Sequence, residues 1–237
     1  LSADLYRPAG VERPAVVLVI HGGGWINGSR QEGYIRAICR HLVSQGFAAL
    51  AVDYRKAPTH RFPAQLDDLA EALRWLQRAG PGLDLDTRQV GVWGYSAGAH
   101  LASLISTRPQ AVPIAAVVAG GTPADLRVWP DSPYVKALLG QSRDAAPALW
   151  AQASPVTQVN AATPSHFLYH GRLDTLVGHD QMLRLEAALK AASVPVTVVT
   201  RWFYGHMLTA VLPGSSHDQA SDFLRARLRP DALSYQP

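Results

Sequence analysis

This chain is short of cysteine, of long apolar runs and of charge, and each shortage removes a class of explanation. One cysteine, Cys39, in 237 residues excludes an internal disulfide and a thiolate-rich metal site. It falls among Tyr34, Ile35, Ile38 and Leu42 at helical spacing, so a buried, inert thiol is expected. No apolar stretch approaches the ~18–20 residues of a membrane span, so no integral membrane protein and no membrane partner is expected. Charged residues make up 17% of the chain, with a formal net charge of +4. The basic residues are scattered, and the densest group, Arg225, Arg227 and Arg229, ends the last apparent helix. Cations there complement the helix dipole, so a nucleic-acid partner is not expected. Neither G-x-x-x-x-G-K-[ST] nor G-x-G-x-x-G occurs, so a nucleotide cofactor has no support. There are nine histidines but no helical H-x-x-x-H pair. His166 and His170 share a strand face roughly 13 Å apart, too far to hold one ion. We therefore expect neither metal nor cofactor.

What is present is the balance of an ordinary globular domain, with 48% apolar residues and a length that one domain accommodates. The chain shows no repeat, linker or low-complexity tract, and residues 1–237 read as a single domain. Strand-like runs alternate with helical periods. Ala15–Ile20 precedes a helix over Gln31–Gln45, and Phe47–Val52 precedes one over Gln65–Ala79. Gln89–Trp93 runs directly into Gly98–Ser106. Ile114–Ala119 and His166–His170 are further strands, then a helix over Asp180–Ala192, a strand over Val196–Thr200 and a closing helix over Ser216–Leu228. This alternation predicts a mostly parallel sheet covered on both faces, an α/β architecture. The long connection 122–163, rich in Pro, Ala and Trp, reads as a small lid or insertion. Ligands of such sheets bind beyond the carboxyl ends of the strands, so the residues following each strand are the place to look.

Four of those ends carry chemically suggestive residues. The Gln89–Trp93 strand enters Gly94-Tyr95-Ser96-Ala97-Gly98 and then a helix, the context in which G-x-S-x-G forms a nucleophile elbow. The turn is tight enough that the two glycines have no room for side chains. Ser96 is forced into a strained conformation that lifts Oγ over the sheet, beside helix amides that favour negative charge. The Ala15–Ile20 strand ends in His21-Gly22-Gly23-Gly24-Trp25, three glycines that spend backbone entropy and place no side chain. Their expected use is an oxyanion hole from the amides of Gly23 and Gly24 together with that of Ala97. A serine needs a base to accept its proton. His206, after the last strand, is the candidate base, and Asp174, after the His166–His170 strand, the candidate acid that orients it. The order Ser, Asp, His is that of hydrolase folds carrying an elbow. Asp125 is a second position for the acid. Asp53, which precedes the serine, reads as structural, and His21 as loop scaffold. His170 reads as a packed strand residue, and His100 as facing away from Ser96. Trp25 and Tyr95 are expected to wall the substrate pocket, with Trp129, Tyr134 and Trp150 of the long connection as further candidates; Trp150 reads more readily as core.

Taken together, His21-Gly22-Gly23-Gly24-Trp25, Asp53-Tyr54-Arg55 with Ala57-Pro58, Phe62-Pro63-Ala64, Gly94-Tyr95-Ser96-Ala97-Gly98, Ser154-Pro155 and His170-Gly171 with Asp174 resemble the carboxylesterases related to hormone-sensitive lipase. They resemble still more the bacterial group that includes bifunctional feruloyl/acetyl xylan esterases and kynurenine formamidase-like enzymes. The resemblance covers most of the chain. It implies an α/β-hydrolase fold with an eight-stranded sheet trimmed at its start, catalytic Ser96, Asp174 and His206, and oxyanion donors Gly23, Gly24 and Ala97. The chain departs from that pattern in having only about twenty residues before His21, with no long N-terminal cap, and in the aromatic Trp202-Phe203-Tyr204 before His206.

The resulting expectation is a cofactor-free serine carboxylesterase acting on small short-chain esters through an acyl-enzyme. An arylformamidase or amidase would use the same triad. A non-catalytic hydrolase-fold receptor would be expected to lack a triad member. The oligomeric state is left open. The compartment stays open between the cytoplasm, slightly favoured, and secretion after loss of a leader upstream of Leu1.

Overall fold

The computed structural model describes residues 1–212 and 214–228; Arg229, counted above with the helix-end cations, lies outside the described residues. Seven strands form one sheet: β1 (Ala3–Tyr6), β2 (Ala15–Ile20), β3 (Ala48–Val52), β4 (Asp86–Tyr95), β5 (Ile114–Gly120), β6 (Ser165–Gly171) and β7 (Val196–Arg201). Their spatial order is β1-β3-β2-β4-β5-β6-β7. Only β1 runs antiparallel, pairing Ala3–Tyr6 with β3, and every other neighbour is parallel. Among the described residues the sheet therefore has seven strands, not eight. The expected strands all form, most with ends one or two residues away. β1 is not among the expected strands, because four residues are too few to show a period.

The connections between parallel strands are helical, as crossover geometry requires. α1 (Gly33–Ser44), α2 (Ala64–Ala79), α3 (Ala97–Ser106), α6 (Asp180–Ala191), α7 (His206–Val211) and α8 (Ser215–Leu228) follow the strands. Strand alternation splits the interior into two layers. Val16, Leu18 and Ile20 of β2 belong to one layer, with Leu66, Leu69 and Leu73 of α2, residues of α3, and Leu185 of α6. Val17 and Val19 turn to the other face, against Ile35, Ile38 and Leu42 of α1 and Phe223 and Leu224 of α8. Cys39 lies in that second layer, fully buried, and burial pushes its thiol up to about 12. No helix among the described residues is long and apolar enough to cross a membrane.

Connection 122–163 is more ordered than its weak periodicity implies. It holds α4 (Pro133–Leu139) and α5 (Pro147–Gln152). Ser132 caps α4 by accepting from the Val135 amide, Pro133 opens it, and Gly140 at φ 70° ends it. Val135, Leu138, Leu139 and Trp150 pack into the core. Ser154 Oγ donates to the Trp150 carbonyl at 2.8 Å and accepts from the Leu126 amide at 3.0 Å. These bonds tie the start of the segment to its later part.

Candidate active site

The parallel strands end on one rim, and the site is assembled there from four of them. At the end of β4, Ser96 sits at φ 56°, ψ −123°, a left-handed conformation that costs on the order of 1–3 kcal/mol for a side-chain-bearing residue. The surrounding packing enforces it. A Cβ on Gly94 would run into the Gly98 carbonyl, and one on Gly98 into the Ile20 carbonyl of β2. The Ser96 amide donates to the Gly120 carbonyl at 2.7 Å, tying the elbow to β5.

His206 opens α7 immediately beyond β7, and Asp174 lies in the turn after β6. His206 Nε2 is 2.9 Å from Ser96 Oγ, and its Nδ1 is 2.6 Å from Asp174 Oδ2. A carboxylate can only accept, so Nδ1 carries the proton and Nε2 is free to take one from the serine. The Asp174 carboxylate is held on every side. Its Oδ1 accepts the amides of Leu176 at 3.0 Å and Val177 at 2.8 Å, and His170 Nε2 lies 3.2 Å from Oδ2. Burial alone would raise its pKa. The hydrogen bonds from His170 and His206, with the charge of His206 and the Val177 amide, outweigh that and hold the carboxyl well below its ordinary range.

The glycine loop after β2 closes the other side. Gly23 adopts φ +109°, where a side chain would in addition strike the Asn27 carbonyl. The Gly22 amide is already committed, donating to Tyr34 Oη at 2.7 Å. The amides of Gly23, Gly24 and Ala97 donate to no acceptor among the described residues, and all three residues line the cavity that contains Ser96 and His206. His21 braces the loop. Its Nδ1 donates to the Gly22 carbonyl at 2.6 Å, Lys56 Nζ donates to its Nε2 at 2.8 Å, and its ring stacks on Tyr54 at 4.3 Å. Burial and the Lys56 ammonium push His21 down to about 4.

The cavity has a volume of about 590 Å³. Trp25 and Tyr95 border it, as do Trp129, Pro133 and Tyr134 of the long connection, with Leu176 and Met207 beside His206. The polar ends of Trp25 and Tyr95 are turned into the protein. Tyr95 Oη donates to the His206 carbonyl at 2.6 Å, fixing the backbone at that histidine. Trp25 Nε1 donates to His100 Nδ1 at 3.1 Å, and His100 Nε2 donates to the Ala153 carbonyl at 2.7 Å. His100 thus points away from Ser96. Trp150 does not line the cavity; it is fully buried, donating to the Gln141 carbonyl at 3.0 Å. Asp125 is bound by Arg127 at 2.8 Å and has no bond to His206. Asp53 pairs with Arg30 through that residue's amide and guanidinium. Two residues that brace the site by hydrogen bonds or close contacts have no functional reading from sequence: Tyr34, whose spacing reads as helix core, and His170, whose strand position gives no sign of its contact with Asp174.

Residues 3–189 match the BD-FAE family. The chain belongs to that family. It is 29% identical over 226 residues to Esterase LipC of Mycobacterium tuberculosis, covering 86% of this chain and 53% of that protein. The chain spans about half the length of these curated relatives, LipC among them. Among solved structures, a truncated carbohydrate esterase from gut microbiota superposes with TM-score 0.85 at 20% identity, covering 94% of this chain and 89% of the other. An acetyl ester-xyloside bifunctional hydrolase from Caldicellulosiruptor lactoaceticus superposes with TM-score 0.83 at 25% identity, covering 94% and 87%. The fold is that of the α/β-hydrolases. The family and these relatives bear out the resemblance to carboxylesterases of the hormone-sensitive lipase type.

Proposed function

We propose that this chain is a serine carboxylesterase that hydrolyses short-chain esters through an acyl-enzyme on Ser96, with His206 as base and Asp174 as its orienting acid. The observation that carries the reading is the continuous run of contacts from Ser96 Oγ to His206 Nε2 and from His206 Nδ1 to Asp174 Oδ2. It lies in a cavity that also presents the unpaired amides of Gly23, Gly24 and Ala97.

The chemistry follows from the atoms. As Ser96 Oγ bonds to the ester carbonyl carbon, its proton passes to His206 Nε2 and the carbonyl electron pair moves onto oxygen, facing the three amides. Collapse expels the alcohol, which takes the proton from Nε2 and leaves the acyl group on Ser96. Water repeats the sequence, giving up one proton to Nε2, which passes it to Ser96 Oγ as the acyl bond breaks and the acid is released. Asp174 keeps its charge throughout and stabilises the transient imidazolium.

Acyl preference follows from how far the walls extend. Each buried methylene gains about 0.8 kcal/mol while walls cover it. Trp129 and Tyr134 close one side of the cavity, but Tyr134, Leu176 and Met207 at its edge are 44%, 58% and 65% exposed. We expect acetate to butyrate esters to be the best substrates, acetylated sugars among them in view of the acetyl ester hydrolase relative. Steady-state kcat/KM across p-nitrophenyl esters of two to twelve carbons tests this, with N-formylkynurenine alongside. A fluorophosphonate should label the wild type and leave Ser96→Ala unlabelled. Labelling that survives Ser96→Ala refutes the nucleophile, and a maximum at ten carbons or beyond refutes the short-chain reading.

A further inference from the structure

Asp174 Oδ2 receives two imidazole nitrogens, not one. His206 Nδ1 approaches at 2.6 Å and His170 Nε2 at 3.2 Å. His170 is the penultimate residue of β6 and is wholly buried. Its Nε2 also lies 2.8 Å from the Val177 carbonyl. Both neighbours of Nε2 are acceptors, so Nε2 carries the proton and shares it between them. Nδ1 is buried with no hydrogen-bond partner among the described residues. The ring is thus oriented by its Nε2 side alone, and that side faces Asp174 and the residue that anchors the Asp174 turn.

We infer that His170 is a positioning residue, a fourth member behind the triad that acts on His206 through the Asp174 carboxylate. The inference rests on the esterase reading proposed above for its role in turnover. Two effects are expected of the contact. It pins the carboxylate against rotation about Cβ–Cγ, together with the Leu176 and Val177 amides on the other oxygen. It also draws charge from Oδ2, so that Asp174 holds the His206 proton less tightly. The contacts from His170 and from His206 both lower the Asp174 carboxyl. An imidazolium that is stabilised less strongly in this way gives its Nε2 proton more readily to the leaving alcohol.

The titratable and charged groups around His170 are few. Asp174 and His206 lie on the cavity side, with Tyr95 against the His206 ring at 5.2 Å. The His179 ring meets His170 edge-on at 5.7 Å and bonds Thr200 Oγ1 of β7 at 3.1 Å. Arg172, Asp180 and Asp174 bear on His179 in turn.

Two substitutions of similar polarity separate positioning from packing. In His170→Gln the amide nitrogen falls near the position of Nε2 and still reaches Oδ2; in His170→Asn it falls near Nδ1 and does not. We expect His170→Gln to keep kcat within about threefold of wild type. His170→Asn should lower kcat ten- to a hundredfold at nearly constant KM, and should move the acid limb of kcat/KM upward by half a pH unit or more. The His206 titration is read in parallel by NMR of its ring nitrogens, which needs no turnover. An upward move of that midpoint in His170→Asn but not in His170→Gln supports the inference. Equal midpoints in all three proteins, or equal losses in the two variants, overturn it. A wild type that turned over no ester would instead overturn the esterase reading, while the NMR comparison would still decide the role of His170.

Discussion

Four histidines are buried with their ordinary affinity for protons suppressed, and this should make the fold collapse in mild acid. Burial pushes His100 and His166 down to about 4 and His217 to about 3, the last with help from His41 and Arg201. Burial and the Lys56 ammonium push His21 to about 4. In the unfolded chain each would titrate at the ordinary value of about 6.5. The unfolded state therefore takes up protons first as the pH falls. The stability these residues retain above pH about 6.5 drains away as the pH descends toward their folded values. Between pH 7 and pH 5 each histidine removes about 2 kcal/mol, and the four together about 7 kcal/mol. A domain of this kind has about 5–15 kcal/mol in all. The depressed carboxylates Asp53, Asp125 and Asp174 act lower, below the ordinary carboxylate value of 3.8, and leave this window to the histidines.

Urea unfolding followed by tryptophan fluorescence at half-unit steps from pH 7 to pH 4.5 measures the slope. A matched series on His166→Leu isolates one term. His166 donates through Nδ1 to the Pro164 carbonyl, and its Nε2 is buried without a partner. That variant should lose about 1 kcal/mol at pH 7 for the missing hydrogen bond and should flatten the pH 7 to 5 loss by about 2 kcal/mol. A wild-type loss under about 3 kcal/mol over those two units, or an unchanged slope in His166→Leu, refutes the reasoning.

Ser96→Ala and His206→Ala should each lower kcat by roughly 10⁴-fold with the fold intact, and Asp174→Asn should do comparable damage by favouring the wrong imidazole tautomer; Asp125→Asn should stay within about threefold of wild type, and the reverse pattern in steady-state assays would move the acid to Asp125. Gly98→Ala should abolish fluorophosphonate labelling and lower the unfolding midpoint, because its Cβ would overlap the Ile20 carbonyl, so a fully labelled, wild-type-stable Gly98→Ala would show that the elbow can relax.

How far the sequence reveals this molecule depends on the range of each interaction. Strands and long helices are legible because their apolar periods repeat, as in Leu66, Leu69, Leu73 and Leu76 of α2. The candidate site is legible because glycines and chain order record local backbone demands at Gly94 and Gly98 and in the loop from Gly22 to Gly24. The short helix α4 carries a legible signal that apolar periodicity does not pick up: Ser132, Pro133 and Gly140 are a cap, a first-turn proline and a left-handed stop. β1 escapes for the opposite reason. Its four residues are held by pairing with β3 some fifty positions away, and nothing local marks them.

The bracing of the site is the part no local pattern encodes, and it follows a common physical rule. A buried imidazole with one nitrogen on a backbone carbonyl has its tautomer fixed, and its other nitrogen then becomes a defined donor or acceptor for a distant element. His21 donates to the Gly22 carbonyl and accepts a hydrogen bond from Lys56; His100 donates to the Ala153 carbonyl and accepts one from Trp25. The first pins the glycine loop and the second pins the indole at its far end, so both sides of the Gly22–Trp25 stretch are held by rings that must stay uncharged. A second proton on His21 would face the Lys56 ammonium, and one on His100 would face the Trp25 N–H, so either would turn a donor–acceptor pair into two opposed donors. Two of the four histidines that store the acid sensitivity of the fold, His21 and His100, thus also shape the Gly22–Trp25 side of the cavity, and geometry there is lost together with stability.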